Sequence, residues 1–346
     1  CNKHWTWRIS LMVSRYLGGL ITKDESQVLP SNNYENTSAP GVWTLEEALT
    51  LTKANRWPTA GFTSFRGLFG GGGSNSNVID FVTISSEGNA TDFGDLSVGR
   101  SGSGSFASST RGCWAGGYVD ATLQNVIDYV TIMSAGNASD FGDMTSSRAY
   151  VSGTGNNTRG LTIGGSGYDD VIDYVTIASA GNATDFGDLT SARGYTGSCS
   201  SPTRAVSGGG RDSGGTTNNY IDYVTIGSAG NGQDFGDLSA GRSYLSAVSS
   251  NTRGVFVSGI GSNTTMDYIT IASTGNATDF GDCDSGLQTY SASASNSIRG
   301  VMSNSAADTD IQFITIATTG NSADFGDLSS GRNYHAGCGN AHGGIS

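Results

Sequence analysis

One apolar segment returns six times along the chain, at residues 78–84, 126–132, 171–177, 220–226, 265–271 and 310–316. In the third copy, Val171-Ile-Asp-Tyr-Val-Thr-Ile177, Ile172 and Tyr174 point to one side of a pleat, with Val171, Val175 and Ile177 on the other. A β-branched and aromatic run that is apolar on both sides predicts a strand covered on both faces. Three further short segments accompany each copy. A run opening on an arginine precedes it, as at Arg66, Arg111, Arg159 and Arg253. A Gly-Asn turn and an A-T-D-F-G-D-L segment follow it. After a second arginine comes a stretch of Ser, Ala and Gly such as Ser243 to Ser249, the first strand of the next unit. Each unit therefore predicts four short strands.

The first aspartate of D-F-G-D falls at Asp92, Asp140, Asp185, Asp234, Asp279 and Asp324, in steps of 48, 45, 49, 45 and 45 residues. Four strands in about 45 residues is the size of a propeller blade. Blades stacked face to face around an axis account for central strands that are apolar on both sides and for small residues in the strand nearest the axis. A solenoid is the alternative, but its repeats run shorter or helical and need an atypical cap. Here one extra copy of the first strand ends the chain, Asn333 to Cys338, followed by His342-Gly343-Gly344, which reads as a fading echo of the second. That extra strand is expected to pair into the first blade and close the ring, because Trp57 to Gly61 contains Pro58 and makes a poor strand. The expected fold is all-β: a six-bladed propeller over residues 57–346.

Residues 1–56 are different material. They hold all three lysines, Lys3, Lys23 and Lys53, and four of the five glutamates. Thr44-x-x-Glu47 is a capping box that predicts a short helix over about 45–55, which Pro58 prevents from continuing. Residues 12–40 are rich in Asn, Ser and Thr without periodicity, and suit an arm that docks into a larger homo- or hetero-oligomeric assembly.

The net charge of −12 argues against a nucleic-acid partner, which needs a basic face. No run of 18 apolar residues predicts a membrane-inserted helix, and Leu17 to Ile21 is too short for a secretion signal. The five cysteines, Cys1, Cys113, Cys199, Cys283 and Cys338, show no C-x-x-C spacing and read as small buried filler.

Most charges belong to the repeat. The D-F-G-D pairs are Asp92 and Asp95, Asp140 and Asp143, Asp185 and Asp188, Asp234 and Asp237, Asp279 and Asp282, and Asp324 and Asp327. Asp80, Asp128, Asp173, Asp222 and Asp267 recur in the central strand, and Arg100, Arg148, Arg193, Arg242 and Arg332 recur before the first. A charge present in every blade predicts a blade-to-blade strut or a turn cap; a calcium ion on each aspartate pair is the alternative. Two departures stand out: Gln312 replaces the central-strand aspartate and Gln288 the arginine.

Little remains for catalysis. Histidine is absent between His4 and His335, and the acids outside the repeat, such as Glu87, Asp284, Asp308 and Asp310, have no spacing that singles out a pair. A non-enzymatic protein without cofactor or metal is expected. The sequons at Asn89, Asn137, Asn182 and Asn276 sit in the repeated turn, which explains them by geometry. Loops between the first and second strands and between the third and fourth are nearly identical from unit to unit. Those between the second and third differ, and carry Tyr118, Asp120, Tyr168, Asp169, Asp170, Arg211, Asp212 and Tyr220. Aromatic and carboxylate side chains on variable loops suit recognition of a glycan or a protein.

Written as S-x-x-T-R-G-V-x-x-G-G…I-D-Y-V-T-I-x-S-x-G-N-A-T-D-F-G-D-L, the unit resembles the kelch-like propeller repeats of virion structural proteins in tailed phages, marine phages especially. The resemblance spans about residues 57–346 and extends to Ala39-Pro-Gly-Val-Trp43-Thr-Leu-Glu-Glu-Ala48 and to Asn340-Ala-His-Gly-Gly344. It implies a fibre, tail or capsid-surface component of an extracellular phage particle. Such a component would contact other virion proteins through the N-terminal arm, act in assembly or in adhesion to a host-surface glycan or protein, and possess no catalytic activity. A secreted or cell-surface glycan-binding propeller is the first alternative and a propeller glycosidase the second.

Overall fold

The computed structural model describes residues 65–262, 264–283, 291–304 and 308–345, and the backbone of 14–16 and 19–21. The chain divides into two units, 1–63 and 64–346. In the first, β1 (Ser14–Tyr16) and β2 (Gly19–Ile21) pair as an antiparallel hairpin. The helix expected over 45–55 and the segment Trp57 to Gly61 lie outside the described residues.

The second unit consists of six four-stranded antiparallel sheets, with no helix among the described residues. Blade one contains β3 (Arg66–Gly70), β4 (Val78–Thr83) and β5 (Thr91–Asp95); blade two β6 (Gly104–Ala107), β7 (Arg111–Val119), β8 (Thr122–Thr131) and β9 (Ser139–Asp143). Blade three is β10 (Ser152–Gly155), β11 (Arg159–Ile163), β12 (Val171–Thr176) and β13 (Thr184–Asp188). Blade four is β14 (Gly197–Ser200), β15 (Arg204–Gly208), β16 (Tyr220–Thr225) and β17 (Gln233–Asp237). Blade five is β18 (Ser246–Ser249), β19 (Arg253–Val257), β20 (Thr265–Thr270) and β21 (Thr278–Asp282). Blade six is β22 (Ala292–Ser295), β23 (Arg299–Ser303), β24 (Asp310–Thr315) and β25 (Ala323–Asp327). The last strand, β26 (Ala336–Gly339), pairs antiparallel with β3, so the innermost strand of blade one comes from the other end of the chain.

The inner strands β26, β6, β10, β14, β18 and β22 neighbour one another in that cyclic order around the axis. They are shorter than the Ser/Ala/Gly runs suggest. In blade five the strand starts at Ser246 rather than Ser243, because Tyr244 has a left-handed backbone, φ 60°, which a strand cannot continue through.

Among the described residues the core is divided. Six apolar clusters each straddle two adjacent blades; that between blades six and one joins Phe69, Val82 and Ile84 to Val301, Ile311 and Phe325. Both faces of each central strand are covered because each faces a different seam. The D-F-G-D motif serves the same seams. Its phenylalanine is buried and meets the central-strand aromatic edge-on, as Phe186 meets Tyr174 at 5.8 Å. Its glycine lets the next blade approach: a Cβ on Gly187 would lie 2.6 Å from the backbone of Gly230, and one on Gly326 at the same distance from Gly88 across the last seam. No L side chain fits there, whatever its rotamer.

Candidate functional site

The buried arginine that precedes five of the six inner strands reaches forward to the central-strand aspartate of the following blade. Arg100 meets Asp128 at 2.7 Å, Arg193 meets Asp222 at 3.0 Å, Arg242 meets Asp267 at 2.6 Å and Arg332 meets Asp80 at 3.0 Å; Arg148 pairs likewise with Asp173. These side chains are at most 4% exposed. The aspartate is turned into the seam by a bulge that recurs in each blade, between Ile172 and Asp173 in β12, which buries two consecutive residues. A hydroxyl from the previous blade completes its shell: Thr190 donates to Asp222 at 2.7 Å, and Ser329 to Asp80 at 2.7 Å.

The D-F-G-D carboxylates are not these struts. The first of each pair is exposed and the second at the surface, because the edge strand turns only its phenylalanine inward. What recurs at Asp143 or Asp188 is a backbone bond. The Asp188 N–H donates to Asn231 Oδ1 at 3.2 Å, and the Asp143 N–H to Asn182 Oδ1 at 3.1 Å. The sequon asparagines are thus caps on the preceding blade. Among the described residues no three His, Cys, Asp or Glu side chains gather closely enough to hold a metal ion.

The second arginine set ties the same seams near the surface. Arg159 lies 4.7 Å over the Tyr174 ring and donates to the Ile226 carbonyl of the next blade at 2.8 Å. Its counterpart Arg299 covers Phe313 and reaches Glu87 of blade one at 3.2 Å. Nearly every repeated arginine is therefore used between blades.

The axis has two unlike mouths. At one, the segment after β26 lies across the opening. His342 Nε2 is 3.1 Å from the Ala107 carbonyl of blade two, and the Gly343 N–H donates to the Ser249 carbonyl of blade five at 3.0 Å. A Cβ on Gly344 would sit 1.9 Å from the Gly155 carbonyl of blade three and 2.7 Å from Ser200 Oγ of blade four. The expected echo of a second strand is thus a plug, and its glycines are required by close approach to neighbouring blades. Burial pushes the His342 imidazole down to about 4 and that of His335, inside the channel, down to about 3, aided there by the Arg332 charge.

At the other mouth, tyrosines stand two residues after the buried arginines: Tyr150, Tyr195, Tyr244 and Tyr334. All four have left-handed backbones, φ 51° to 63°. That conformation is strained for an aromatic residue and persists only where its surroundings impose it. The surroundings are a chain of bonds around the axis. Gly102 N–H donates to Tyr334 O at 2.8 Å, Tyr150 N–H to Gly102 O at 2.6 Å, Tyr195 N–H to Tyr150 O at 3.2 Å, and Tyr244 N–H to Tyr195 O at 2.8 Å. The half-buried rings converge: Tyr195 and Tyr244 centroids are 4.1 Å apart, Tyr150 and Tyr195 4.7 Å, Tyr150 and Tyr334 5.4 Å. Blade two breaks the pattern with Gly102, and Tyr150 leans into the space; a Cβ at Gly102 would meet its ring at 2.9 Å.

The variable loops border this mouth. Backbone bridges join the residue between arginine and tyrosine to the loop of the next blade, Gly194 to Arg211 and Ser243 to Ile260, and Ser101 is bridged likewise to Tyr118. Tyr118 packs 5.3 Å from Tyr150. The Tyr195 hydroxyl is raised above its usual range, first by burial; its bond with Tyr244 opposes this, and Tyr168, Tyr118 and Arg211 are close enough to act on it. Of the eight expected binding residues, Tyr118, Tyr168 and Arg211 are therefore brought to the rim. The others divide. Asp120 forms the tip of a two-residue hairpin turn, φ 45°, that extends β7 and β8 in place of an irregular loop, and it accepts from Asn75 at 2.6 Å. Asp169 and Asp170 are half-buried beside Tyr168. Asp212 holds its own loop, accepting from the Thr216 N–H at 2.9 Å, while Arg211 donates to the Gly215 carbonyl at 3.1 Å. Tyr220 is 48% exposed at the start of β16, opposite Asp237 of the edge strand, and so belongs to the outer part of its blade.

The axial tyrosines escape a reading that searches outside the repeat. Their signal is plain in R-x-Y, at Arg148-Ala-Tyr150, Arg193-Gly-Tyr195, Arg242-Ser-Tyr244 and Arg332-Asn-Tyr334. No family model and no curated protein matches this chain.

Proposed function

We propose that the chain is a structural and adhesive component of a tailed-phage particle: a kelch-like six-bladed propeller whose ring is closed by its C-terminal strand. It docks to other virion proteins through residues 1–56, with a short helix over about 45–55, and presents one face outward to a host-surface glycan or protein. The observation that carries the adhesive part is the contrast between the two mouths. One is plugged by the chain's own His342–Gly344 and ringed by near-identical loops. The other gathers Tyr150, Tyr195, Tyr244 and Tyr334, bordered by loops that differ from blade to blade. Partly exposed tyrosines that are rigidly held lose little entropy on contact, which suits them to binding. The repeat's resemblance supports the virion part. Its charges support a passive scaffold, its buried ion pairs being committed to the seams.

The reading is tested on particles that carry this gene. Antibody against the purified chain should label the intact virion, and the free chain should compete with particles for host cells. Substituting Tyr168→Ala with Tyr150→Ala should abolish competition and leave the melting temperature within a few degrees. Unlabelled particles would remove the virion role; competition unaffected by the double substitution would remove this face as the contact.

A further inference from the structure

From the form of the axial channel we infer that the tyrosine mouth binds the terminal residue of a neutral glycan end-on, one sugar ring entering a blind, hydroxyl-lined well. The inference rests on the adhesive reading and names the ligand class of the same face.

Three features lead to it. The first is depth. A cavity of about 90 Å³ lies among the rim tyrosines, and another of about 150 Å³ lies along the inner strands beneath it. Both are lined by Ser103, Val151, Thr196, Leu245, Ser291 and His335, so they adjoin. The larger is on the scale of a single sugar ring.

The second is lining chemistry. Beneath the rim come hydroxyls from successive inner strands: Ser152 bonds to Thr196 at 2.8 Å and to Ser198 at 2.7 Å, and Ser246 faces Ser291 at 3.2 Å. Each hydroxyl can donate or accept, as sugar hydroxyls can. The Ser103 Oγ, on a side chain 7% exposed, has no hydrogen-bond partner although it lines both cavities. Among the described residues no Asp, Glu, Lys or Arg lines either cavity. A charged ligand would lose its hydration there without gaining an ionic partner, so the well selects against it. At the rim, tyrosine faces offer what the apolar C–H face of a pyranose stacks on.

The third is closure. With Asn340 to Ile345 lying across the far mouth, a chain cannot thread the axis. Whatever enters must end inside. An internal stretch of polysaccharide has no free end and could lie only across the rim.

The probe is the full chain on immobilised oligosaccharides ending in neutral hexoses or N-acetylhexosamines, alongside otherwise identical chains ending in uronic or sialic acids. Binding should favour neutral ends, fall at least tenfold with Tyr150→Ala, and fall at least tenfold when the terminal sugar of a bound glycan is blocked by a bulky substituent. Ser103→Leu, which fills the well from a side chain whose hydroxyl bonds to nothing else, should also weaken binding tenfold; circular dichroism and melting establish that each variant folds. Equal binding of blocked and free ends would overturn end-on entry. A preference for acidic ends, or no glycan bound at all, would overturn the ligand class. If no glycan binds but the chain still competes for host cells, this inference fails and the adhesive reading stands. If competition is absent as well, both fail.

Discussion

Arg242 and Asp267 form a pair that joins blades four and five with neither side chain exposed, at 2.6 Å. Arg242 also donates to the carbonyls of Ser258 at 3.2 Å and Thr265 at 2.6 Å, and Asp267 accepts from Ser239 Oγ at 2.8 Å. Burial draws the arginine's ionisation down, and Asp267 restores part of it. Removing either partner leaves the other charge in the seam, which costs about 3–5 kcal/mol. Asp267→Asn should fall at the upper end, because the guanidinium then faces only carbonyls. Arg242→Gln should cost less, because Ser239 still donates to the carboxylate. Replacing both removes both uncompensated charges. The double variant Arg242→Gln with Asp267→Asn should therefore be at least about 2 kcal/mol more stable than additivity predicts. The chain contains its own precedent: in the repeat, Gln288 and Gln312 occupy the arginine and aspartate positions of one strut together. Gln312 donates to Asp310 at 2.8 Å and accepts from Ser322 at 2.6 Å. Urea unfolding of the wild type, both single variants and the double variant closes the cycle. Asp234→Asn, on an exposed D-F-G-D carboxylate of blade four, is the control and should change stability by less than ~0.5 kcal/mol. An additive double variant, or a control as costly as Asp267→Asn, would refute the assignment of the strut.

Two further outcomes follow from the ends of the ring. Truncation after Gly331 removes β26, leaves the β3 edge open, strips Ala336 and Cys338 from the cluster between blades one and two, and removes the Arg332 partner of Asp80, so the protein should associate and melt earlier; light scattering that still reports a monomer with an unchanged melting temperature would show that β26 is dispensable. His342 ionises near 6.5 when unfolded and at about 4 when folded, so below pH 6.5 the unfolded state binds a proton that the folded state refuses. Stability should therefore fall on acidification from about pH 6.5 to 4, by up to about 1.4 kcal/mol per unit for this group; buried His335 adds a slope of the same sign, so His342→Gln should reduce the slope in melting curves measured across the range without abolishing it.

The strands, their number and their grouping into blades were legible because each rests on local chemistry repeated six times. The alternation in Val171 to Ile177, the Gly181-Asn182 turn and the D-F-G-D glycine are each readable within a few residues. The repeated arginines and aspartates could be recognised as structural, yet not which acid meets which base. Asp173 and Asp185 both lie in blade three, and only the bulge in β12 turns the first into the seam while the edge strand leaves the second in solvent.

The site was the less legible part, and the reason is geometric. Residues outside the repeat are the natural place to look for recognition, because a single site needs only one copy of each group. Around a rotation axis that premise fails: copies of one position converge. Tyr150, Tyr195, Tyr244 and Tyr334 lie 45, 49 and 90 residues apart in sequence, and become one aromatic cluster only because closure brings six inner strands together. His342-Gly343-Gly344 likewise reads as a fraying strand and is a plug, since the contacts made by this segment come from four different blades. By itself the sequence determined what each blade is made of, since hydrophobic period and turn chemistry act over a few residues. Only the tertiary structure decided what stands at the axis, because that depends on distances around a closed ring that no local pattern encodes.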